Sequence, residues 1–362
     1  EGVMGLYDGI DNSLDNNSSA HLSRVLGIPV VLVVDGIGKS TSIAAQVLGY
    51  QLLDKRVNIA GVIINKVSSR KTYDIFKEAI EMYTDVKCLG YVPKDESLHI
   101  GSRHLGLLQA EEIGDLKVKI SSLAEVLKET IDVDGILEIA SKVKIESVEN
   151  PFKKDKDKYK GLKIGIAKDR AFSFYYNDNI ELLKYLGAEI EYFSPVYDKK
   201  IPENVDILYF GGGYPENFAR ELSENKSMIE SVNKFYHNNG KIFGECGGFM
   251  FLSKEIETID GEKFPMCSLI DCSIKMGNRL DISRFGYISL LKENKIIGKG
   301  HEFHYSKIKE IGNDTRKYTA RKKDGREWNC IFEEKGLKGG YPHIHFFTSF
   351  DLLKDILEKE GK

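Results

Sequence analysis

Lys241-Ile242-Phe243-Gly244-Glu245-Cys246-Gly247-Gly248-Phe249-Met250-Phe251-Leu252-Ser253 is the stretch whose reading decides the fold. A short apolar strand, residues 241–243, runs into a cysteine with glycines on both sides, and a helix-like apolar run follows. This is the pattern of a strand-to-helix elbow. Glycines permit the tight backbone, and the turn lifts one side chain clear of the sheet.

Outward from this elbow the same alternation repeats. Residues 206–210 (DILYF) run into Gly211-Gly212-Gly213, residues 162–167 and 189–193 read as strands, and residues 178–186 and 217–237 as helices. Residues 275–346 read mainly as strands and turns. Upstream, residues 28–34, 57–65 and 86–91 are β-branched strand runs, with helical patterns over 40–53 and 72–83 and a mostly helical stretch over 109–140. Strands alternating with helices predict an α/β fold with parallel sheets in both halves. Residues 142–160 are charged, contain a proline and lack an apolar period, which marks a linker. The expected organisation is a first domain over 1–145, a charged linker over 146–160 and a second domain over 161–352.

A net charge of −3 in 362 residues gives no electrostatic footprint for nucleic acid. The longest apolar run, residues 28–34, falls far short of the roughly 20 residues that span a bilayer. Neither nucleic acid nor membrane is an expected partner. No charged segment followed by an apolar run opens the chain, so no secretory leader is expected. The five cysteines, at 88, 246, 267, 272 and 330, are odd in number and scattered, which suits a reducing cytoplasm. Cys267 and Cys272 have no second pair to complete a metal site and are taken as packing residues.

Cys246 is the candidate nucleophile. The helix that follows is expected to lower its pKa, favouring the thiolate that attacks a carbonyl. A buried structural cysteine is the alternative, and the strand, the glycines and downstream histidines together weigh against it. Backbone donors for the oxyanion are expected from Gly247 and from Gly212 and Gly213, in glycine-rich loops at neighbouring strand ends. The base is sought in Tyr341-Pro342-His343-Ile344-His345-Phe346, where alternation puts both histidines on one strand face. His343 is the first choice and His345 the second. Pro342 is unusual within a strand and is tolerated at an edge.

Five segments in order, EGVMGLYDG (1–9), GYVPKDESLHIGSRHLGL (90–107), FGGGYPENFARELSENKSM (210–228), GECGGFMFLS (244–253) and GHEFHYS (300–306), resemble the cobyrinic acid a,c-diamide synthase family of cobalamin-pathway amidotransferases. The resemblance runs from Glu1 to about Phe347. It implies a P-loop-type ATP-binding synthetase domain, similar to dethiobiotin synthetase, followed by a class I-like glutamine amidotransferase domain. It also implies glutamine hydrolysis at Cys246, ATP and Mg²⁺ as cofactors, and a corrinoid, cobyrinic acid, amidated at its a and c carboxylates. Glu1 and Asp8 match acidic positions of the family's magnesium and phosphate region. Asp35 ends a buried strand and is a second place for a magnesium-linked carboxylate, and Asn65, after another strand, resembles the position contacting the nucleotide base. Arg103 and His104 match a motif near the substrate, where Arg103 suits bidentate pairing with a carboxylate. His301 and His304 are expected to shape the glutaminase site.

The chain also departs from the pattern. No complete glycine-rich phosphate loop is present. Asp35-Gly36-Ile37-Gly38-Lys39-Ser40 imitates one, but Val33 stands where its first glycine belongs. The chain begins at Glu1, and that loop is expected upstream. The glutamate that usually follows the base by two residues is replaced by His345, leaving a Cys–His dyad with no assigned orienting group. The same motifs also suit a,c-diamidation of nickel-sirohydrochlorin in the coenzyme F430 pathway. A noncatalytic binding protein that retains the fold is the third reading. Nothing in the sequence sets the oligomeric state.

Overall fold

Ser18 accepts a hydrogen bond from the His21 amide, and Gly27 closes the other end at φ 63°, so Ser19–Leu26 forms a helix (α1). The hydrophobic pattern had not announced it. The β-branched runs that follow become parallel strands with helices between them: β1 (Val30–Asp35), α2 (Ser42–Leu53), β2 (Ile59–Val67), α3 (Arg70–Tyr83) and β3 (Cys88–Pro93). The computed structural model describes residues 5–98, 113–144 and 148–358, and these divide into two units at Val148/Glu149. Among the described residues of the first unit, three strands pair in parallel in the order β1-β2-β3. Ile43, Val62, Ile64, Phe76 and Ile80 fill the core beside them. The described part of the helical stretch expected over 109–140 is two helices, α4 (Leu116–Thr130) and α5 (Val133–Ser141). They separate where the Asp132 side chain accepts from the Gly135 amide and caps the second.

The charged stretch expected to be a linker is not a free tether beyond residue 148. Its lysines stay in water while Phe152 is buried against Phe347 and Phe350, with ring centroids 5.2 and 4.7 Å away. The Tyr159 amide donates to the Leu186 carbonyl at 2.8 Å. An alternation of lysines with single aromatic residues looked like a linker because it has no period, yet it packs on the second unit.

That unit continues through β4 (Lys163–Ala167), β5 (Phe172–Phe174), α6 (Asn177–Tyr185), β6 (Glu189–Phe193), β7 (Ile207–Phe210), β8 (Gly212–Gly213), α7 (Ala219–Glu224), α8 (Lys226–His237), β9 (Lys241–Glu245) and α9 (Gly247–Leu252). The single helix expected over 217–237 is broken at Asn225, whose buried amide donates to the carbonyls of Pro195 and Asp198. A strand-rich region follows: β10 (Glu255–Glu257), β11 (Lys263–Pro265), β12 (Cys272–Met276), β13 (Gly286–Lys292), β14 (Lys295–Glu302), β15 (Ser306–Ile311), β16 (Thr319–Arg321), β17 (Glu327–Asn329), β18 (Phe332–Glu334), β19 (Leu337–Gly340) and β20 (His343–Ile344). Helix α10 (Phe350–Leu357) follows the last strand.

Among the described residues the main sheet has the order β18-β19-β9-β7-β4-β6, with β18 antiparallel to β19 and the other neighbours parallel. Both faces are covered. On β7, Leu208 and Phe210 join one buried cluster and Ile207 and Tyr209 the other, the period-two alternation of a strand buried on both sides. Strand β4 lies between β6 and β7, so the connections leave it in opposite directions, and the crevice at such a switch lies at the carboxyl ends of the strands. The elbow closes β9, one strand beyond β7, at that same end. All five cysteines are free and buried. Among the described residues no helix is long and apolar enough to cross a membrane.

Candidate active site

Cys246 sits at φ 46°, ψ −102°, a left-handed conformation that costs a non-glycine residue about 1–3 kcal/mol. Hydrogen bonds on all sides hold it there. Its amide donates to the Gly340 carbonyl at 2.8 Å, its carbonyl accepts from Met250 at 3.0 Å, and the Gly248 amide donates to Gly211 at 2.9 Å. A Cβ on Gly248 would stand 2.1 Å from the Phe210 carbonyl oxygen, so only glycine lets the elbow close on the end of β7. A Cβ on Gly247 would stand 3.0 Å from the Gly213 nitrogen. The two glycine-rich loops are therefore in backbone contact, bringing together Gly213, Gly247 and Cys246.

Gly212 makes room for a ring. Its Cβ would stand 2.3 Å from His343 Cε1 and 3.1 Å from Nδ1. His343 is buried, and the His301 ring stacks on it at 4.9 Å and 13°. The expectation of two histidines side by side on one strand needs correction. β20 ends after Ile344, and His345 begins a 3₁₀ turn over Phe346–Thr348. His345 is half-exposed, with Nε2 3.7 Å from Asp178 Oδ2 and the Tyr176 ring edge-on at 4.9 Å. Pro342 precedes β20, which is an edge strand, so its missing amide costs no ladder bond.

The electrostatics also correct the sequence reading. Burial pushes the Cys246 thiol up, and the charges of Glu216 and Glu302 add to this; only the Gly247 amide opposes it. The helix behind it, α9, has six residues, too short a dipole to outweigh removal from water. Burial, with His301 and His304 nearby, pushes His343 down to about 3. The site thus holds a neutral thiol and a neutral imidazole. Iodoacetamide labelling of Cys246 without glutamine, read by peptide mass, is expected to be slow at neutral pH and to accelerate only above about pH 9. Fast labelling at pH 7 would show that thiolate is the resting form.

Around this pair lie His301 and His304, which the sequence reading had expected at the site, and further polar groups that it passed over. Glu302 is fully buried and accepts from Trp328 Nε1 at 3.0 Å and from His304 Nε2 at 3.1 Å. His304 Nδ1 faces the Ser306 carbonyl at 2.8 Å, so the ring is held at both nitrogens. The Tyr176 hydroxyl lies 3.2 Å from His301 Nδ1. Glu245 is 3% exposed and accepts from Tyr209 Oη at 2.5 Å and from the Ile344 amide at 2.8 Å. Asn179 donates to the Ile344 carbonyl at 2.7 Å and accepts from the Phe346 amide at 2.8 Å. A carboxylate inside the apolar KIFGE strand was the available signal for Glu245. Asn179 sits in an ordinary helical pattern and carried none.

In the first unit, Asp35 and Asn65 face each other at the ends of β1 and β2. The Asp35 carboxylate accepts from the Ile37 amide at 2.7 Å and from Lys66 Nζ at 2.9 Å, which together hold its pKa below the ordinary range. Lys39 turns back, its Nζ donating to the Asp35 carbonyl at 2.6 Å. Asp8 is exposed in a turn over Gly5. Glu1, Arg103 and His104 lie outside the described residues. Among the described residues no group of three His, Cys, Asp or Glu side chains is placed to hold a metal ion.

Residues 163–350 match the family model of the CobB/CobQ-like glutamine amidotransferase domain, and residues 1–100 match an AAA domain. A cobyrinate a,c-diamide synthase of Fusobacterium nucleatum is 60% identical, the alignment covering 98% of this chain and 82% of the relative. Those of Caldanaerobacter subterraneus and Clostridium tetani are 38% and 42% identical, each aligned over 99% of this chain and over 80% and 81% of their own lengths. The amidotransferase match spans the strand-to-helix elbow and its glycine loops, and these relatives align with both units. The chain belongs to the cobyrinate a,c-diamide synthase family.

Proposed function

We propose that this chain amidates the a and c carboxylates of cobyrinic acid in cobalamin biosynthesis, using ATP and ammonia released from glutamine at Cys246. The observation that carries the glutaminase half is the strained cysteine at the β9 elbow, with a neutral buried imidazole packed into the space left by Gly212. His343 takes the thiol proton as Sγ attacks the glutamine side-chain carbonyl and returns it to the departing nitrogen as ammonia. The amides of Gly247 and of Gly212 or Gly213 receive the negative oxygen. Water then releases glutamate from the thioester, with His343 as base.

The unit up to Val148 is assigned the synthetase role and the unit from Glu149 the glutaminase role. ATP supplies the leaving group: phosphoryl transfer makes the substrate carboxylate an acyl phosphate that ammonia converts to amide, once at each position. Asp35 and Asn65 offer oxygen atoms at neighbouring strand ends and are assigned to nucleotide binding. The Lys66 ammonium already resting on Asp35 supports a cation there. Magnesium, shared with the phosphates, would take Glu1 and Asp8 as acidic contacts and offset phosphate charge. Arg103 and His104 are assigned to the corrinoid carboxylates.

The test uses protein that carries the phosphate loop expected upstream of Glu1, offers cobyrinic acid and nickel-sirohydrochlorin separately, each with glutamine, ATP and Mg²⁺, and reads amidation by mass spectrometry. Two mass steps on cobyrinic acid are expected. Preference for the nickel macrocycle would move the substrate while leaving the chemistry in place, and no turnover of either with glutamine or ammonia would favour a noncatalytic role.

A further inference from the structure

Strand β20 is an edge strand, and its outer edge should expose backbone groups. Its inner side pairs with β14, His301 opposite His343 and Gly300 opposite Ile344. Among the described residues the outward amide and carbonyl of Ile344 meet no further strand. Instead the amide donates to Glu245 Oε1 at 2.8 Å and the carbonyl accepts from Asn179 Nδ2 at 2.7 Å. Two side chains therefore stand in for a missing strand, and one belongs to the residue just before Cys246.

Glu245 occupies an expensive position for a carboxyl. It is buried beside Tyr209, whose ring packs on Phe243 and Phe346, where an apolar side chain would carry no desolvation cost. Its second oxygen is fixed by the Tyr209 hydroxyl at 2.5 Å, which leaves Oε1 one orientation, toward Ile344. Covalently, Glu245 is joined to the candidate nucleophile; through Oε1 it is joined to the residue after the candidate base.

We propose that Glu245 is a positioning residue of the glutaminase site, tying the β20 backbone that carries His343 to the elbow that carries Cys246. It supplies the orienting carboxyl group that the motif lacks after the histidine, acting through its acceptor oxygen on the backbone rather than on the imidazole. The inference rests on the glutaminase reading of Cys246 and His343. Glutamine retains an acceptor oxygen at the same place, so Glu245→Gln keeps the tie, and Glu245→Ala removes it.

The experiment measures glutamate release against glutamine concentration for the unaltered chain and for Glu245→Ala, Glu245→Gln and Glu245→Met. Displacing a reacting group by about 1 Å costs up to roughly 100-fold. Glu245→Ala is expected to lower kcat by at least about 10-fold with KM within about threefold, and Glu245→Gln to stay within about threefold on both. Glu245→Met fills the volume without an acceptor. It should match the alanine variant and decides the matter if that variant does not fold. Unchanged kcat in the alanine or methionine variant, or a glutamine variant as impaired as alanine, overturns the proposal. Cys246→Ala runs alongside: if it still releases glutamate, the glutaminase reading fails, whereas its inactivity beside an active Glu245→Ala refutes the positioning role alone.

Discussion

Cys246→Ala is expected to lower glutamate release from glutamine by at least about 1000-fold while amidation driven by added ammonia proceeds as before. Four other thiols are available in principle, but Cys88, Cys267, Cys272 and Cys330 are buried at positions that lack the positive φ of Cys246 and do not sit at a strand-to-helix elbow. None can substitute. Alanine keeps the positive φ and its cost, so the elbow and its hydrogen bonds to Gly340, Met250 and Gly211 persist. A glycine variant separates chemistry from strain. Cys246→Gly should be equally inactive and more stable to heat, because glycine adopts φ 46° without the penalty of about 1–3 kcal/mol. The checks are glutamate release, product mass with each nitrogen donor, and thermal unfolding. Full glutamine use by the alanine variant would remove Cys246 from the chemistry, and a glycine variant less stable than the parent would show that the elbow stores no strain.

The elbow was legible because its signals are local. Glycines at 244, 247 and 248 and the apolar strand before them demand a tight turn whatever the rest of the chain does. Cap-driven helices such as Ser19–Leu26 were not legible, since one hydroxyl at Ser18 and one glycine at 27 settle them without a long apolar period. The linker reading went too far for the opposite reason. Lysine density hid Phe152 and Tyr159, two aromatic residues sufficient to hold the stretch down. Electrostatics was the least legible layer. A helix after a cysteine suggests an acidic thiol, but sequence does not reveal that the sulfur is shut away from water beside Glu216 and Glu302. Long-range ties such as Glu245 to Ile344 span about 100 positions and leave no periodic trace at either end.

The choice between the two histidines follows from that burial. His343→Asn is expected to lower kcat for glutamate release by about 100- to 10,000-fold with little change in KM, whereas His345→Asn should stay within a few-fold of the parent. His343 lies against Gly212, within the glycine contact that also joins Gly213 to Gly247 beside Cys246. His345 faces Asp178 and the exposed Tyr176 at the start of a turn. The pH profile provides a second check. A base works in its unprotonated form, and His343 is held down to about 3, so lowering the pH does not protonate it until far into the acid range. The acid side of kcat/KM should therefore show no histidine-like inflection between about pH 5 and 7. Stacking of His301 on His343 reinforces this, because two imidazoles 4.9 Å apart cannot both become charged cheaply. If His345→Asn were the inactive variant, the base would be the half-exposed residue and the role of Gly212 would be packing alone. If His343→Asn were inactive but the profile broke near pH 6.5, the residue would be right, and glutamine binding would have to open the pocket to water before the proton moves.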